Sequence, residues 1–500
     1  MDRDFPYGTE IRIDMSEKKE RKPRSRTARL TDIRNGAGHF CGRDKAVSDL
    51  LRFLSEPQDL SSKVVVQSIE GPGGIGKTAL FEHVLAKVDR VALKQLTMKV
   101  SGNPEGQRDP FELVHALVTS CESPTAVAKP IAQRFSNTEE VRSVYCELTK
   151  KATTELQHAH PELSVDMCMR LFRASVELGK RINDFSPNSK KLLDLKKVEA
   201  VLPKVEETLK TLKPLLDEAP GMLEKLGVGK SVALRNSIRA NPLDALADAF
   251  VSDLVALLVG YEKKKLLEPT QAKVLGLNRL LLILDDYESL TVQFGEFLVS
   301  HLVPKLKRCP FETVIVIMGR DQLALTHSGW NQHHQRSLAN PIALAPLSRE
   351  EMDSLVKGYG RNNSAQLSRA WNDTLGYPLL VTLWLEEARE AGHGEGPSIG
   401  MLKRFHDRTT HWLTEEQKQW LYHSLFLPKV NVETFAATLG SEDEGRRAMK
   451  WFEADGSVRD AQGPVFRVRP YVCSRLVDYL DATDPALSRN LKSRAATAIN

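Results

Sequence analysis

The stretch from Gly71 to Thr78 reads GPGGIGKT and constrains the rest of the chain more than any other segment. It fits G-x-x-x-x-G-K-[ST], a loop whose backbone cradles phosphates. KVVVQSIE, Lys63 to Glu70, precedes it as a β-branched run of the kind that forms a buried strand. ALFEHVLAKV, from Ala79 on, follows with apolar residues at helical spacing. Strand, glycine loop and helix form the context in which the motif acts. The stretch Gly71, Pro72, Gly73, Gly74, Ile75, Gly76, Lys77, Thr78 and Ala79 is therefore expected to line a phosphate chain. Its glycines let successive N–H groups turn inward, and the helix N-terminus adds positive partial charge. Lys77 is expected to reach the β- and γ-phosphates, and the Thr78 hydroxyl to ligate Mg²⁺.

Five hundred residues exceed one small domain, and about two to four domains are expected. The net charge of +5 is mild for this length and does not by itself imply nucleic acid. Cys41, Cys121, Cys146, Cys168, Cys309 and Cys473 are scattered with no C-x-x-C pair, so neither a zinc site nor a disulfide framework is suggested. No apolar run is long enough to cross a membrane, and MDRDFPYGTE has no apolar signal core. A reducing cytoplasm is the expected compartment.

Residues 1–36 read as a disordered or loosely docked basic arm, either a solvated tail or a contact for nucleic acid or an acidic partner. HFCGRDKAVSDLLRFL then opens a helix after Gly42-Arg43-Asp44. VALKQLTMKVSG supplies a second strand, and FELVHALVTS a helix. From about 123 to 240 glycine is rare and apolar residues recur at steps of three and four from Leu195 to Leu216, which predicts a helical insertion. It is either a packing module or a sensor or partner surface. Asn241 to Tyr261 reads as a helix returning to the core.

RLLLILDDYESL, Arg279 to Leu290, predicts a buried parallel strand with acids at its C-terminal end. Ligands bind at that edge of open α/β sheets. Asp285 is the expected Mg²⁺-holding acid, and Asp286 or Glu288 can orient or deprotonate an attacking water. TVIVIMGR ends another strand in Arg320, where a cation can face the γ-phosphate. Ser348 and Glu351 have capping-box spacing, and Gly376-Tyr377-Pro378 separates two helices, with Pro378 suited to the first helical position. A small helical domain over 346–393 is expected, then a unit over 400–485 of helices and a hairpin, and a tail over 486–500. Helices followed by a hairpin suggest a winged helix, and Arg446, Arg447 and Lys450 mark its candidate DNA-reading helix.

Taken together, the GRD entry, the P-loop, LLLILDDYE, IMGR, LGYP and the closing helices and hairpin resemble the STAND class of P-loop NTPases, related to NACHT and NB-ARC proteins and more distantly to AAA+ ATPases. The resemblance covers about residues 38–122 and 242–485. It implies an α/β P-loop NTPase domain, a parallel sheet with helices on both faces, over 37–345, with ATP or ADP and Mg²⁺ as ligands. By the same resemblance Arg43 lies near the adenine or ribose, Pro378 packs on the nucleotide, and Arg320 is the sensor arginine. Where the family often carries a β-phosphate-contacting His, this chain has Arg469.

The expected function is an ATP/ADP-dependent switch that hydrolyses ATP slowly and associates with itself or with a partner carrying the sensor or effector. A DNA-acting AAA+-like ATPase, gripping duplex with the winged helix and basic arm, is the alternative. A scaffold that never hydrolyses is a third reading, opposed by the intact Lys77, Thr78 and Asp285.

Overall fold

Four runs rich in Val, Ile and Leu become parallel strands in the computed structural model, which describes residues 40–55, 63–102, 109–122, 131–159, 237–238, 241–259, 277–390, 397–411, 413–455, 458–460 and 466–499. Helix α1 (Asp44–Ser55) leads into β1 (Val64–Glu70), and α2 (Lys77–Leu85) starts at the end of the glycine loop. β2 (Gln95–Ser101), α3 (Pro110–Thr119), α4 (Ser136–Ala159) and α5 (Pro242–Val259) follow. β3 (Arg279–Asp285) passes into α6 (Tyr287–Glu296), and β4 (Glu312–Gly319) and the short β5 (Ile342–Ala343) complete the sheet. The order is β2-β3-β4-β1-β5 and every pairing is parallel.

β1 and β3 are buried along their whole length because helices cover both faces of the sheet. Successive side chains alternate between two cores. Val65, Ile69, Leu281, Ile283, Val314, Val316 and Met318 face one, and Val64, Val66, Leu280, Leu282, Leu284, Ile315 and Ile317 face the other. Full burial of each such side chain contributes about 1.5–3 kcal/mol. A one-residue slip would exchange the two sets, so the register is firmly held. It aligns Glu70 with Gly319 and Leu284 with Ile317, which sets the C-terminal ends of β1, β3 and β4 side by side.

The C-terminal half is helical: α7 (Arg349–Gly358), α8 (Ser364–Thr374), α9 (Pro378–Glu390), α10 (Ile399–Thr410), α11 (Glu415–Ser424), α12 (Val432–Leu439), α13 (Glu442–Ala454), α14 (Pro470–Thr483) and α15 (Pro485–Ile499). The Ser348–Glu351 capping box forms at the start of α7, satisfying two amides that the first turn leaves open. Between α13 and α14, Asp460 N donates to Arg467 O and Arg469 N to Val458 O, both at 2.8 Å, so the expected hairpin exists as a short antiparallel pairing. Its turn, 461–465, lies outside the described residues. The core on the α2 face of the sheet runs on through Trp384 and Phe405 to Leu491.

Two expectations change. The tail expected at 486–500 is instead α15, because Ser488, Leu491 and Ala495 form a buried stripe at i, i+3, i+7 that packs on α12 and α14. Residues 135–145, expected within the insertion, instead pack with the nucleotide domain's core. α4 lies against α5, and Phe135, Val141, Val144 and Tyr145 join the sheet's second core. Asp253 of α5 fixes the start of α4, accepting from Thr138 N at 2.8 Å, Thr138 Oγ1 at 2.7 Å and Asn137 Nδ2 at 2.7 Å. Residues 160–236, which hold the Leu195–Leu216 repeat, lie outside the described residues.

Candidate functional site

The glycine loop turns at the C-terminal end of β1, and its geometry demands the glycines. Gly74 has φ 84° and Gly76, the residue before α2, has φ 93°, both in the left-handed region. A Cβ on Gly74 would also lie 2.9 Å from Leu379. Lys77 is buried, and its Nζ donates to Gly71 O at 2.7 Å and Pro72 O at 3.2 Å. Burial lowers the Lys77 pKa, with Glu288, Asp286 and Asp285 pulling the other way. Thr78 and Ala79 stand exposed in the first turn of α2. The Thr78 hydroxyl donates to Asp285 Oδ2 at 3.0 Å, so the two residues expected to share Mg²⁺ are brought together.

Burial, then the neighbouring Asp286, raises the Asp285 pKa, while the Thr78 hydroxyl and the Asp286 N–H oppose the rise. A divalent cation would reverse that balance, which is the chemistry this oxygen pair suits. Among the described residues no three or more His, Cys, Asp or Glu gather as a metal cage. Mg²⁺ held by one carboxylate, one hydroxyl and phosphates does not require such a cage.

The two acids between which the sequence does not choose face different ways. Glu288, in the first turn of α6, accepts from Arg320 Nε at 2.7 Å and from Arg320 N at 3.1 Å. Burial alone would raise the Glu288 pKa, but Arg320 and Lys77 outweigh it and hold the carboxyl below its ordinary value. Asp286 instead sits in the left-handed region at φ 48° and ψ 49°, and Ser101 Oγ at the end of β2 lies 3.4 Å from its Oδ2. Such strain in a non-glycine residue gathers at functional sites. Arg320, expected to face a γ-phosphate, here holds Glu288.

One acid at this edge has no motif to mark it. Glu70, the last residue of β1, is buried and accepts from Ser68 Oγ at 2.8 Å and Leu323 N at 3.2 Å. Burial raises its pKa. It ties the strand before the glycine loop to the segment after Arg320. Its place at the buried end of a strand is a local signal that sequence reasoning missed.

Two segments brace the loop from outside it, the entry segment at Arg43 and the start of α9. Arg43 Nη2 donates to Ile75 O at 2.6 Å and Ala345 O at 3.1 Å, and Arg43 N donates to Glu351 Oε1 at 2.5 Å. Arg43 thus braces the loop against the chain leaving β5. Beside it a cavity of about 800 Å³ opens between α1 and the β5 edge, with Gln67, Ile342 and Leu344 in its wall. Pro378 is the first residue of α9, and its neighbours hold the loop. Tyr377 Oη donates to Gly73 O, and Leu379 N donates to Gly74 O at 3.2 Å.

The Tyr377 ring stacks on Tyr471 of α14 at 4.9 Å and meets Phe405 of α10 edge-on at 5.4 Å. Burial pushes its phenol pKa well up, against the pull of Arg408, Arg469 and Arg43, so it stays a donor. Arg469 stands at the position before α14, where its side chain makes no capping bond, and lies near Tyr377 and Tyr471.

The expected DNA-reading helix is α13. Its Arg446 pairs with Glu442 at 2.8 Å, while Arg447 pairs with Glu416 at 2.5 Å and lies over the Trp420 ring. Glu442, Asp443 and Glu444 fill its first turn. Among the described residues no helix is long and apolar enough to cross a membrane.

No family model and no curated protein matches the chain. Among solved structures it is similar to a STAND protein with a tetratricopeptide repeat sensor from Pyrococcus horikoshii, at 13% identity over 92% of this chain and 47% of that one, TM-score 0.30. The chain thus spans about half the length of that protein. It is also similar to Cdc6p from Pyrobaculum aerophilum, at 12% identity over 91% and 93%, TM-score 0.32. A third is the ORC1 protein of Aeropyrum pernix in complex with DNA, at 11% identity over 91% and 95%, TM-score 0.34. Identities and scores this low say nothing of substrate or partner. Its parallel β2-β3-β4-β1-β5 sheet, glycine loop and Thr78–Asp285 pairing give the domain an α/β P-loop NTPase fold.

Proposed function

We propose that the chain is an ATP/ADP-dependent switch of the STAND type. In this reading it binds ATP, hydrolyses it slowly, and associates with itself or a partner protein in signalling or defence. The observation that carries the proposal is that α9 holds the phosphate loop itself, through Tyr377 on Gly73 O and Leu379 on Gly74 O. A nucleotide whose phosphates occupy that loop acts on the helical half at the same time. It shifts the balance between two arrangements by its differential affinity for them.

Residues Gly71 to Ala79 would bind the phosphates, and the cavity beside Arg43 has a volume typical of ligand sites and would take base and ribose. Thr78 and Asp285 would hold Mg²⁺, which supplies charge neutralisation at the phosphates. Glu288, paired with Arg320, would orient the water and would accept its proton once Arg320 turns to the γ-phosphate. Arg320 would exchange Glu288 for the γ-phosphate, and this competition accords with slow turnover. Pro378 would approach the nucleotide from the small helical domain and Arg469 from the winged-helix side.

DNA binding is the second reading. The paired arginines of α13 weigh against it, because a groove-reading helix needs its cations for DNA. ATPase rate and molecular mass measured with ATP, with ADP and with added duplex separate the two. The switch reading expects slow turnover that duplex leaves unchanged and a larger mass with ATP than with ADP. Duplex-stimulated turnover, with binding that falls steeply as salt rises, would sink it.

A further inference from the structure

Three consecutive carbonyls of the glycine loop accept hydrogen bonds from outside it: Gly73 O from Tyr377 Oη, Gly74 O from Leu379 N, and Ile75 O from Arg43 Nη2. In a trans peptide the carbonyl and the following N–H point in opposite directions. Holding Gly73 O outward therefore turns the Gly74 N–H inward, and holding Ile75 O outward does the same for Gly76. Between them, the Ile75 N–H closes a turn onto Pro72 O at 3.2 Å. Two of the loop's amides, those of Gly74 and Gly76, are thus oriented by groups that the loop does not own.

Leu379 contributes a backbone group, and Arg43 belongs to the entry segment. Tyr377 joins the loop to α10 and α14, through Phe405 and Tyr471. We infer that Tyr377 is a positioning residue for the phosphate cradle, and that its stack on Tyr471 makes the cradle's affinity for a nucleoside diphosphate depend on the seating of α14. The inference rests on the nucleotide-binding function proposed for this loop and deepens it.

Tyr377→Phe tests it, because the variant keeps both ring contacts and loses only the hydroxyl. Binding and release of fluorescent ADP by the full chain are measured alongside the thermal midpoint without ligand. The expected result is a Kd weakened about five-fold, mostly through faster release, with a nearly unchanged midpoint. Tyr471→Leu should weaken ADP in the same direction in the wild-type background. It should do so less in the Tyr377→Phe background, where no hydroxyl remains to be misplaced.

Wild-type affinity in Tyr377→Phe overturns the inference, and equal effects of Tyr471→Leu in both backgrounds overturn its second half. Lys77→Ala run alongside separates the two levels. If wild type binds ADP, Lys77→Ala does not and Tyr377→Phe binds as wild type, only this inference fails. If wild type itself binds no ADP, the nucleotide-binding function fails with it.

Discussion

Lys77→Ala is expected to remove measurable binding of both ATP and ADP, a loss of at least about a hundredfold. Hydrogen bonds to charged groups are worth about 1.5–3 kcal/mol each, and one ammonium serving two phosphates makes more than one of them. The buried ammonium rests on Gly71 O and Pro72 O, so it lies inside the loop that it would neutralise. The substitution loses those two bonds and also removes a desolvated charge, and the two effects offset each other. The thermal midpoint without ligand should therefore stay close to wild type, while the increase on adding ADP disappears. Titration with fluorescent ADP and thermal melts check both halves. Wild-type affinity in the variant would mean that Gly71–Thr78 is not the phosphate site.

Glu288→Gln is expected to slow ATP hydrolysis by about 10²–10⁴, the usual worth of a positioned base, with ADP affinity changed only a few-fold. Arg320 Nε and the Arg320 N–H donate to different carboxylate oxygens, so the amide keeps an acceptor for one of them, turns its NH2 toward the other, and cannot take a proton. Asp286→Asn should cost less, since Asp286 faces Ser101 rather than Arg320. Arg320 and Lys77 hold the Glu288 carboxyl below its ordinary value. In the loaded site Arg320 would turn to the γ-phosphate, so the acid limb of the rate should lie nearer the ordinary glutamate range than the unloaded carboxyl does. Single-turnover hydrolysis across pH checks both statements. If Asp286→Asn were inactive and Glu288→Gln active, the two acids would have each other's roles.

Much of the sheet is legible in the amino-acid sequence alone. Lys63–Glu70, Arg279–Asp285 and Thr313–Gly319 read as strands because a run of three to five consecutive Val, Ile, Leu or Met residues beside glycine or acid has few other uses in an α/β chain. The start of α7 is legible because Ser348 and Glu351 satisfy local amides at a fixed spacing. Long-range pairing leaves no local trace. Glu351 serves its own cap through one oxygen and the Arg43 amide through the other, across 308 positions.

Tyr377 reads as the variable residue between Gly376 and Pro378, because its hydroxyl matters only once α9 lies on the loop. Asp286 gives no sign of its left-handed backbone, a conformation that Asp tolerates better than most residues. α15 reads as a tail because its buried stripe uses Ser488 and Ala495, small residues that a hydrophobic scan passes over.

The central claim is that bound phosphates decide whether α9 and α14 stay on the glycine loop. Fluorescence energy transfer between dyes on Thr119→Cys of α3 and Lys450→Cys of α13, both exposed positions, reads that arrangement in a chain whose native cysteines are replaced. In a Glu288→Gln background ATP is retained, so Mg²⁺–ATP and Mg²⁺–ADP can be compared in one protein. The account predicts a short distance with ADP and a clearly longer one with ATP. The same distance with both nucleotides, at saturating concentration of each, would contradict it.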